Sequence, residues 1–239
     1  INVYFEYCLM FYIPVVFTLK YLVSFLSKEN KKYLCDILEL PFSFWCFYLS
    51  IFSFYGTYYT GKYLLYDYKT THFYLTDVEF WYHAFIVSKI FELLDTVFIV
   101  LRSKPLVALQ WYHHWCTMGI CYFISKYNCD QFIIAFFMNY FVHSFMYAYF
   151  GLYCFLGKRL NLFGTFVNII QTLQMFFAIV IGMYFYHNNI DLSKCQFQED
   201  LKDKIDLIYY VGMFMYFTYF VMFVHLFFER QERISKKTN

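Results

Sequence analysis

The chain has 239 residues, of which 61% are hydrophobic and only 15% are charged. Soluble domains carry about 25% charged residues, so this composition excludes an ordinary soluble protein and indicates a single polytopic membrane domain over residues 1–239. The net charge of +2 is small, and basic residues form a block only in the C-terminal tail. The charge therefore gives no indication of a nucleic-acid partner.

Crossing a bilayer of about 30 Å takes about 20 helical residues. Continuous apolar runs of that length predict seven transmembrane helices, at residues 8–26, 38–59, 80–101, 106–125, 131–156, 162–186 and 206–228. The runs are about twice as long as barrel strands and do not alternate in polarity, which favours helices. The predicted fold is therefore an all-α polytopic membrane protein. Because the chain does not begin with Met, we expect residues to be missing from its N-terminus.

The orientation follows from Lys and Arg, which favour the cytosolic ends of spans. One side of the membrane receives the larger set: Lys28, Lys31, Lys32, Arg102, Lys104, Lys158, Arg159, Arg230, Arg233, Lys236 and Lys237. The other side receives Lys62, Lys69, Lys126, Lys194, Lys202 and Lys204. The bias predicts a cytosolic C-terminus. The ending Lys236-Lys237-Thr238-Asn239 resembles an endoplasmic-reticulum retrieval signal, although a basic stop after the last span explains it equally well.

The third run carries charges at membrane depth. Lys89 and Glu92 lie three residues apart on one helical face, and Asp95 follows close to that face. Each charge costs about 2.5–3.5 kcal/mol at the bilayer centre. We therefore predict that Lys89 pairs with Glu92 and that Asp95 has a partner on another helix. The alternative is a buried ion network that only fixes helix packing.

Polar stripes also mark the next three runs. In the fourth run Gln110, His113 and His114 share a face, which Thr117 continues. The fifth and sixth runs carry two more stripes, Asn139, His143, Met146 and Tyr147, and then Asn168, Gln171 and Gln174. Lipid offers these groups no hydrogen-bond partner. Converging stripes therefore predict a polar chamber inside a helical bundle.

Neutral histidine can act as a nucleophile, a general base or a metal ligand. Of the seven histidines, His113, His114 and His143 fall at one depth. A histidine-box, metal-dependent lipid oxidoreductase resembles the chain in its adjacent histidines, but it uses more of them, spread over three boxes. Since no carboxylate here has metal-box spacing, we expect no metal.

Four motifs occur in order between residue 89 and about residue 175. They are Lys89-x-x-Glu92-x-x-Asp95-Thr96-x-Phe98-x-x-Leu101-Arg102, the box ending in His113-His114, Asn139-x-x-x-His143-x-x-Met146-Tyr147-x-Tyr149, and Thr172 with Gln174. Together they resemble the ELO family of very-long-chain fatty acid elongases. The first three are specific in combination and the last is weak. Gln110 and Phe150 depart from the family pattern, which usually has His and Tyr there.

The resemblance implies a 3-ketoacyl-CoA synthase of the endoplasmic-reticulum membrane. It would condense malonyl-CoA with a long-chain acyl-CoA, releasing CO2 and CoA without a further cofactor. Six helices would surround a closed-ended acyl tunnel, with the first helix outside and CoA entering from the cytosol. The product would pass to a ketoacyl reductase, a dehydratase and an enoyl reductase.

The residues agree with this chemistry. No intramembrane cysteine has the surroundings of a synthase thiolate, and Cys116 lies about 200° around its helix from His114, so imidazole is the favoured nucleophile. By resemblance, His113 attacks the thioester, His114 assists or orients it, and His143 acts on malonyl-CoA or stabilises charge. Around them we expect a supporting chamber of Gln110, Asn139, Tyr147, Gln174, Lys89, Glu92 and Asp95. Weaker candidates for CoA phosphate contacts are Arg102, Lys104, Lys158 and Arg159, which the positive-inside bias explains equally well.

Some alternatives stay open. Seven spans also fit a receptor or transporter, although Pro14, Pro41 and Pro105 are the only prolines and do not give a pattern of kinked helices. Cys129 and Cys195 fall in predicted lumenal loops, where a disulfide is conceivable. The sequence leaves the preferred acyl chain and the oligomeric state open, with a homodimer as one option.

Overall fold

The computed structural model describes residues 2–67, 77–127, 132–187 and 202–238. Within these ranges the chain forms helices and no strand. The α-helices are α1 (Asn2–Ser24), α2 (Lys28–Lys62), α3 (Val78–Phe91), α4 (Leu93–Leu101), α5 (Ala108–Tyr127), α6 (Ile133–Leu156), α7 (Asn161–His187) and α8 (Lys202–Thr238). A π-helical turn, Tyr63–Asp67, follows α2, and a 3₁₀ turn, Gly157–Leu160, separates α6 from α7.

Four stretches in the described ranges are long and apolar enough to cross a membrane. They are Val3–Ser24, Lys28–Tyr66, Ile133–His187, which contains both α6 and α7, and Asp206–Glu232. The predicted runs at 80–101 and 106–125 are not among them. The first is divided between the short helices α3 and α4, and the second carries the polar residues of α5. The protein is thus an all-helical, multi-pass membrane protein in the part that is described.

The structure corrects two predicted boundaries. The run predicted at 80–101 is two helices that meet at Glu92. There the Asp95 N–H donates to the Glu92 carbonyl at 3.1 Å, which is the three-residue hydrogen-bond spacing of a 3₁₀ turn and is tighter than that of an α-helix. Residues 27–37, the connection between the first two predicted spans, are not a loop, because α2 already begins at Lys28. The Ser27 side chain caps this helix by accepting a hydrogen bond from the Asn30 N–H at 3.2 Å. Polar residues there extend a helix beyond the apolar run.

Helices α2 and α6 form the most extensive pairing in the bundle. Small side chains let the two backbones approach closely, which is the usual basis of helix packing in membranes. The Ser43 hydroxyl donates to the Gly151 carbonyl, and the Ser50 hydroxyl donates to the Ser144 carbonyl, both at 2.8 Å. This pairing fixes one wall of the bundle interior.

Helix α1 packs on the outside of α4 and α5. Its Tyr12 hydroxyl is hydrogen-bonded to Thr96 at 2.8 Å, and the Trp115 indole N–H donates to the Leu9 carbonyl at 3.0 Å. On the other side of the bundle α7 pairs with α8, and α8 also packs against α5. Helix α5, which carries the adjacent histidines, is therefore held between α1 and α8.

Candidate active site

The helices enclose a cavity of about 620 Å³, to which α2, α4, α5, α6, α7 and α8 all contribute side chains. At one end it is lined by Arg102 and Lys104, just after α4, and by Gly157, just after α6. Deeper in the bundle it is lined by His113 and Gln174. The larger cavity therefore runs from a basic end of the bundle to the polar residues in its interior.

A smaller cavity of about 50 Å³ continues on the far side of His113. Both cavities are lined by His113, Asn139, Gln174 and Met175. The smaller one extends to Phe132, at the beginning of α6, and so points to the opposite end of the bundle. His113 thus stands where two cavities with opposite directions meet.

The Lys89–Glu92 pair predicted from the sequence is present. The Lys89 ammonium lies 2.7 and 3.0 Å from the two Glu92 oxygens and also donates to the Asn139 side-chain oxygen at 2.9 Å. The Ser88 hydroxyl donates to Glu92 at 2.9 Å. Lys89 and Glu92 are each only 3% exposed. Helical spacing creates this pair, and the bond to Asn139 joins it to α6.

Asp95 has partners on two other helices, as predicted, but both are neutral. The Trp45 indole N–H donates to Asp95 Oδ1 at 2.7 Å, and the Tyr147 hydroxyl donates to Oδ2 at 2.6 Å. Trp45 was not predicted from the sequence. The available signal was weak, because an indole N–H in a membrane segment needs an acceptor without indicating which one.

Two of the three histidines each lie beside a carboxylate. His114 Nε2 is 4.0 Å from Asp95 Oδ2 and is hydrogen-bonded to the Gln110 amide at 2.8 Å. His143 Nδ1 is 3.9 Å from Glu92 Oε2, while its Nε2 is 3.2 Å from the Asn139 amide. The amide and the carboxylate lie at different ring nitrogens of His143, whereas both lie beside Nε2 of His114. The carboxylates are also close enough to stabilise positive charge on the imidazoles.

His113 differs from the other two histidines. Across the described ranges its ring forms no hydrogen bond and lies at ion-pair distance from no carboxylate. It packs instead against two rings, with centroid distances of 4.8 Å to Tyr219 and 5.5 Å to His114. A nucleophilic nitrogen must keep its lone pair available, and among these three imidazoles His113 best meets that condition.

The remaining predicted residues divide into two groups. Arg102 and Lys104 line the larger cavity, and the Arg102 guanidinium lies 4.4 Å from the Phe42 ring centre and 3.9 Å from Glu39. Lys158 and Arg159 lie exposed in the 3₁₀ turn and line neither cavity. Their predicted position on one side of the membrane grouped these four cations, but only Arg102 and Lys104 line the cavity.

Other polar residues complete the interior. Gln174 is buried and lines both cavities, and the Gln171 amide donates to the Met146 sulfur at 3.1 Å. Asn168, on the same predicted stripe, is buried but lines neither cavity. Where residues are described, no three His, Cys, Asp or Glu side chains converge in a metal-binding arrangement. Cys129 and Cys195, for which a disulfide is conceivable from the sequence, lie outside those residues.

Comparison with known proteins gives a consistent family. The ELO family model, described as the GNS1/SUR4 family, matches residues 3–239. Very long chain fatty acid elongase 4 of Trypanosoma cruzi (strain CL Brener) is 33% identical, over 92% of this chain and 77% of its own length. Putative fatty acid elongase 3 of Caenorhabditis elegans is 32% identical, over 91% of this chain and 67% of its own.

Very long chain fatty acid elongase 6 of Mus musculus is 33% identical, over 80% of this chain and 73% of its own length. No solved structure matches the chain significantly. The family model covers nearly the whole chain, and the matched relatives from a protozoan, a nematode and a mammal carry similar names. The chain therefore belongs to the ELO (GNS1/SUR4) family.

Proposed function

We propose that this protein is the condensing enzyme of fatty acid elongation, a 3-ketoacyl-CoA synthase. Its relatives are named fatty acid elongases, which supports fatty acid elongation as its process. The observation that carries the specific reaction is the position of His113 at the junction of two oppositely directed cavities. A thioester held there would have its CoA in the larger cavity and its acyl tail towards the smaller one.

In the first half-reaction a ring nitrogen of His113 attacks the thioester carbonyl carbon of acyl-CoA. A C–N bond forms while the C–S bond breaks. The leaving CoA thiolate takes the proton from the other ring nitrogen, so the products are free CoA and a neutral acyl-imidazole. This covalent step stores the acyl group and vacates the larger cavity for the second thioester.

In the second half-reaction malonyl-CoA loses CO2, and the electrons of the broken C–C bond form an enolate. The enolate carbon attacks the acyl carbonyl, so that a new C–C bond forms and the C–N bond to His113 breaks. The released imidazole takes one proton from water. The product is a 3-ketoacyl-CoA two carbons longer, and the two thioesters suffice without a further cofactor.

The neighbouring polar groups have distinct parts in this scheme. His114, held by Gln110 and close to Asp95, orients His113 and stabilises charge beside it. His143, between Asn139 and Glu92, acts on malonyl-CoA and the enolate formed from it. Preorganised polar groups of this kind lower barriers because they need not reorient during the reaction.

The basic end of the larger cavity is the proposed entrance for CoA. Arg102 and Lys104 would attract its phosphates, while Lys158 and Arg159 do not line the cavity and would be peripheral contacts. The proposed arrangement is seven transmembrane helices in an endoplasmic-reticulum membrane, with this end and the C-terminus cytosolic. The 3-ketoacyl product would then require reduction, dehydration and a second reduction by partner enzymes.

The direct test uses purified protein or membranes that carry it, a series of acyl-CoAs, and malonyl-CoA labelled in its free carboxyl carbon. We expect labelled CO2 in step with a 3-ketoacyl product two carbons longer, in an amount that varies with acyl length. Membranes without the protein give the background. No product at any acyl length would overturn the proposal, and unchanged activity after exhaustive chelation would exclude a required metal.

Gln110 gives a second prediction, because its amide holds His114 by a hydrogen bond at 2.8 Å. If the position only orients His114, Gln110→His should keep condensation within about threefold of the wild type. Gln110→Leu removes the bond in a similar volume and should lower kcat by about ten- to a hundredfold, the range for a lost positioning contact. Equal activity of the Leu variant and the wild type would contradict this role.

A further inference from the structure

Tyr219 of α8 contacts His113 in two different ways. Its ring centre lies 4.8 Å from the His113 ring centre, and its hydroxyl donates to the His113 backbone carbonyl at 3.1 Å. Tyr219 is only 1% exposed, so both contacts are made in the interior. One side chain from another helix thus holds the backbone of the proposed nucleophile and packs against its imidazole.

A third contact fixes the direction of the Tyr219 hydroxyl. The Thr117 hydroxyl lies 3.1 Å from it, one turn beyond His113 on α5. A phenol has one proton to donate and can also accept. Since the Tyr219 proton goes to the His113 carbonyl, Thr117 donates to the Tyr219 oxygen. The resulting series of hydrogen bonds runs from the Thr117 hydroxyl through the Tyr219 hydroxyl to the His113 carbonyl.

In this hydrogen-bond arrangement the Tyr219 hydroxyl has no proton to donate to the substrate. Its single proton already serves the backbone carbonyl, which also accepts the helical N–H bond from residue 117. What the contacts do control is position, since they fix α8 against the turn of α5 that carries His113. A misplacement of about 1 Å at a reacting group can cost about a hundredfold in rate.

On these contacts, and resting on the proposed function of His113, we propose that Tyr219 is a positioning residue that sets the His113 imidazole at the junction of the two cavities. The contact between the two rings limits the orientation of the His113 imidazole. The hydrogen bond from the Tyr219 hydroxyl limits how far the His113 backbone can shift along α8. Tyr219 also lines the smaller cavity itself, so it holds the ring from the side on which the acyl tail lies.

Helices α5 and α8 provide a matched control. The Tyr112 hydroxyl is hydrogen-bonded to Thr218 at 3.1 Å, which joins the same two helices by the same kind of Tyr–Thr contact at the same distance. Tyr112 lines neither cavity and does not bond to the His113 carbonyl. Removing its hydroxyl tests the general docking of α8 on α5 without touching the His113 contacts.

The experiment compares the wild type with Tyr219→Phe, Tyr112→Phe and Thr117→Val. For each we would measure the rate of acyl-adduct formation in a single turnover with acyl-CoA alone, kcat and KM for malonyl-CoA, and Tm in detergent. We expect Tyr219→Phe to lower both adduct formation and kcat by about ten- to a hundredfold, with KM within about threefold. Tyr112→Phe should show a similar Tm but a kcat within about twofold.

Equal losses of kcat in Tyr219→Phe and Tyr112→Phe would overturn the positioning role in favour of simple docking, as would normal kcat in Tyr219→Phe. Should Tyr219→Phe fail to fold, Thr117→Val decides, because it keeps the Tyr219 ring and removes only the donor that orients its hydroxyl. We expect acyl-adduct formation to be several-fold slower in Thr117→Val, and an unchanged rate would overturn the positioning role of Tyr219. A wild type without condensation would instead overturn the proposed function.

Discussion

His113→Ala is expected to abolish condensation, with both labelled CO2 release and 3-ketoacyl product lowered by about 10⁴-fold or more, as for the loss of a covalent nucleophile. The reason is specific to this ring. His113 lines both cavities and lacks the neighbouring carboxylate that His114 and His143 each have. No other imidazole in the chamber stands at the junction where the thioester carbonyl would lie.

The measurement combines product formation with intact mass. Wild-type protein mixed with acyl-CoA alone should gain the mass of one acyl group and release one equivalent of CoA, and His113→Ala should do neither. His225→Ala is a matched control, because His225 is exposed on α8 and lines neither cavity. Normal turnover of His113→Ala would refute the nucleophile. An unchanged mass of an active wild type would favour a ternary mechanism.

Lys89→Met is expected to destabilise the protein by about 3–5 kcal/mol, the range found when one partner of a buried ion pair is removed. Glu92 would stay buried without its cation, retaining the Ser88 hydroxyl bond and proximity to His143. Asn139 would lose the ammonium that binds its side-chain oxygen. The fall in Tm in detergent, together with denaturation in a graded denaturant series, measures this loss.

The double variant Lys89→Met/Glu92→Gln distinguishes an ion pair that only fixes helix packing from one that also supports the reaction through His143. Removing both charges should recover most of the stability, since a neutral pair of similar volume costs little to bury. We expect its kcat to remain at least about tenfold low, because His143 has lost the carboxylate beside it. Full recovery of activity with stability would mean that the pair only fixes helix packing.

The exposed pair of Lys236 and Glu232 is the control for this series. It joins the same charge types at 2.6 Å on one helix, but its side chains are 73% and 64% exposed. Exposed ion pairs contribute little to stability. Lys236→Met should therefore leave Tm unchanged, so that a large effect of Lys89→Met reports burial and not simply the loss of a positive charge.

Local spacing and composition alone account for part of this structure. A chain of 61% hydrophobic residues with long apolar runs has to form membrane helices. Three-residue spacing placed Lys89 against Glu92, and four-residue spacing placed Gln110 against His114, and both contacts are present. Helical geometry fixes such neighbours before any tertiary contact forms. The polarity of α5 and α6 also indicated a chamber in the bundle interior.

Polarity was less informative about where helices end. The charged residues after Ser27 lie between two predicted apolar runs, yet they form the first turns of α2. Charged side chains are compatible with a helix as long as they can reach water, so the end of an apolar run marks the membrane boundary and not the end of the helix. For the same reason α8 continues well beyond residue 228.

Which distant groups meet depends on how the helices pack. It directs Trp45 and Tyr147 to Asp95, brings Tyr219 to His113, and leaves Lys158 outside the cavity. These contacts depend on the rotation and height of each helix relative to its neighbours, which side-chain packing across the whole bundle sets. Spacing along one helix carries no information about that rotation, so the sequence indicated the chemical groups and the packed bundle determined their arrangement.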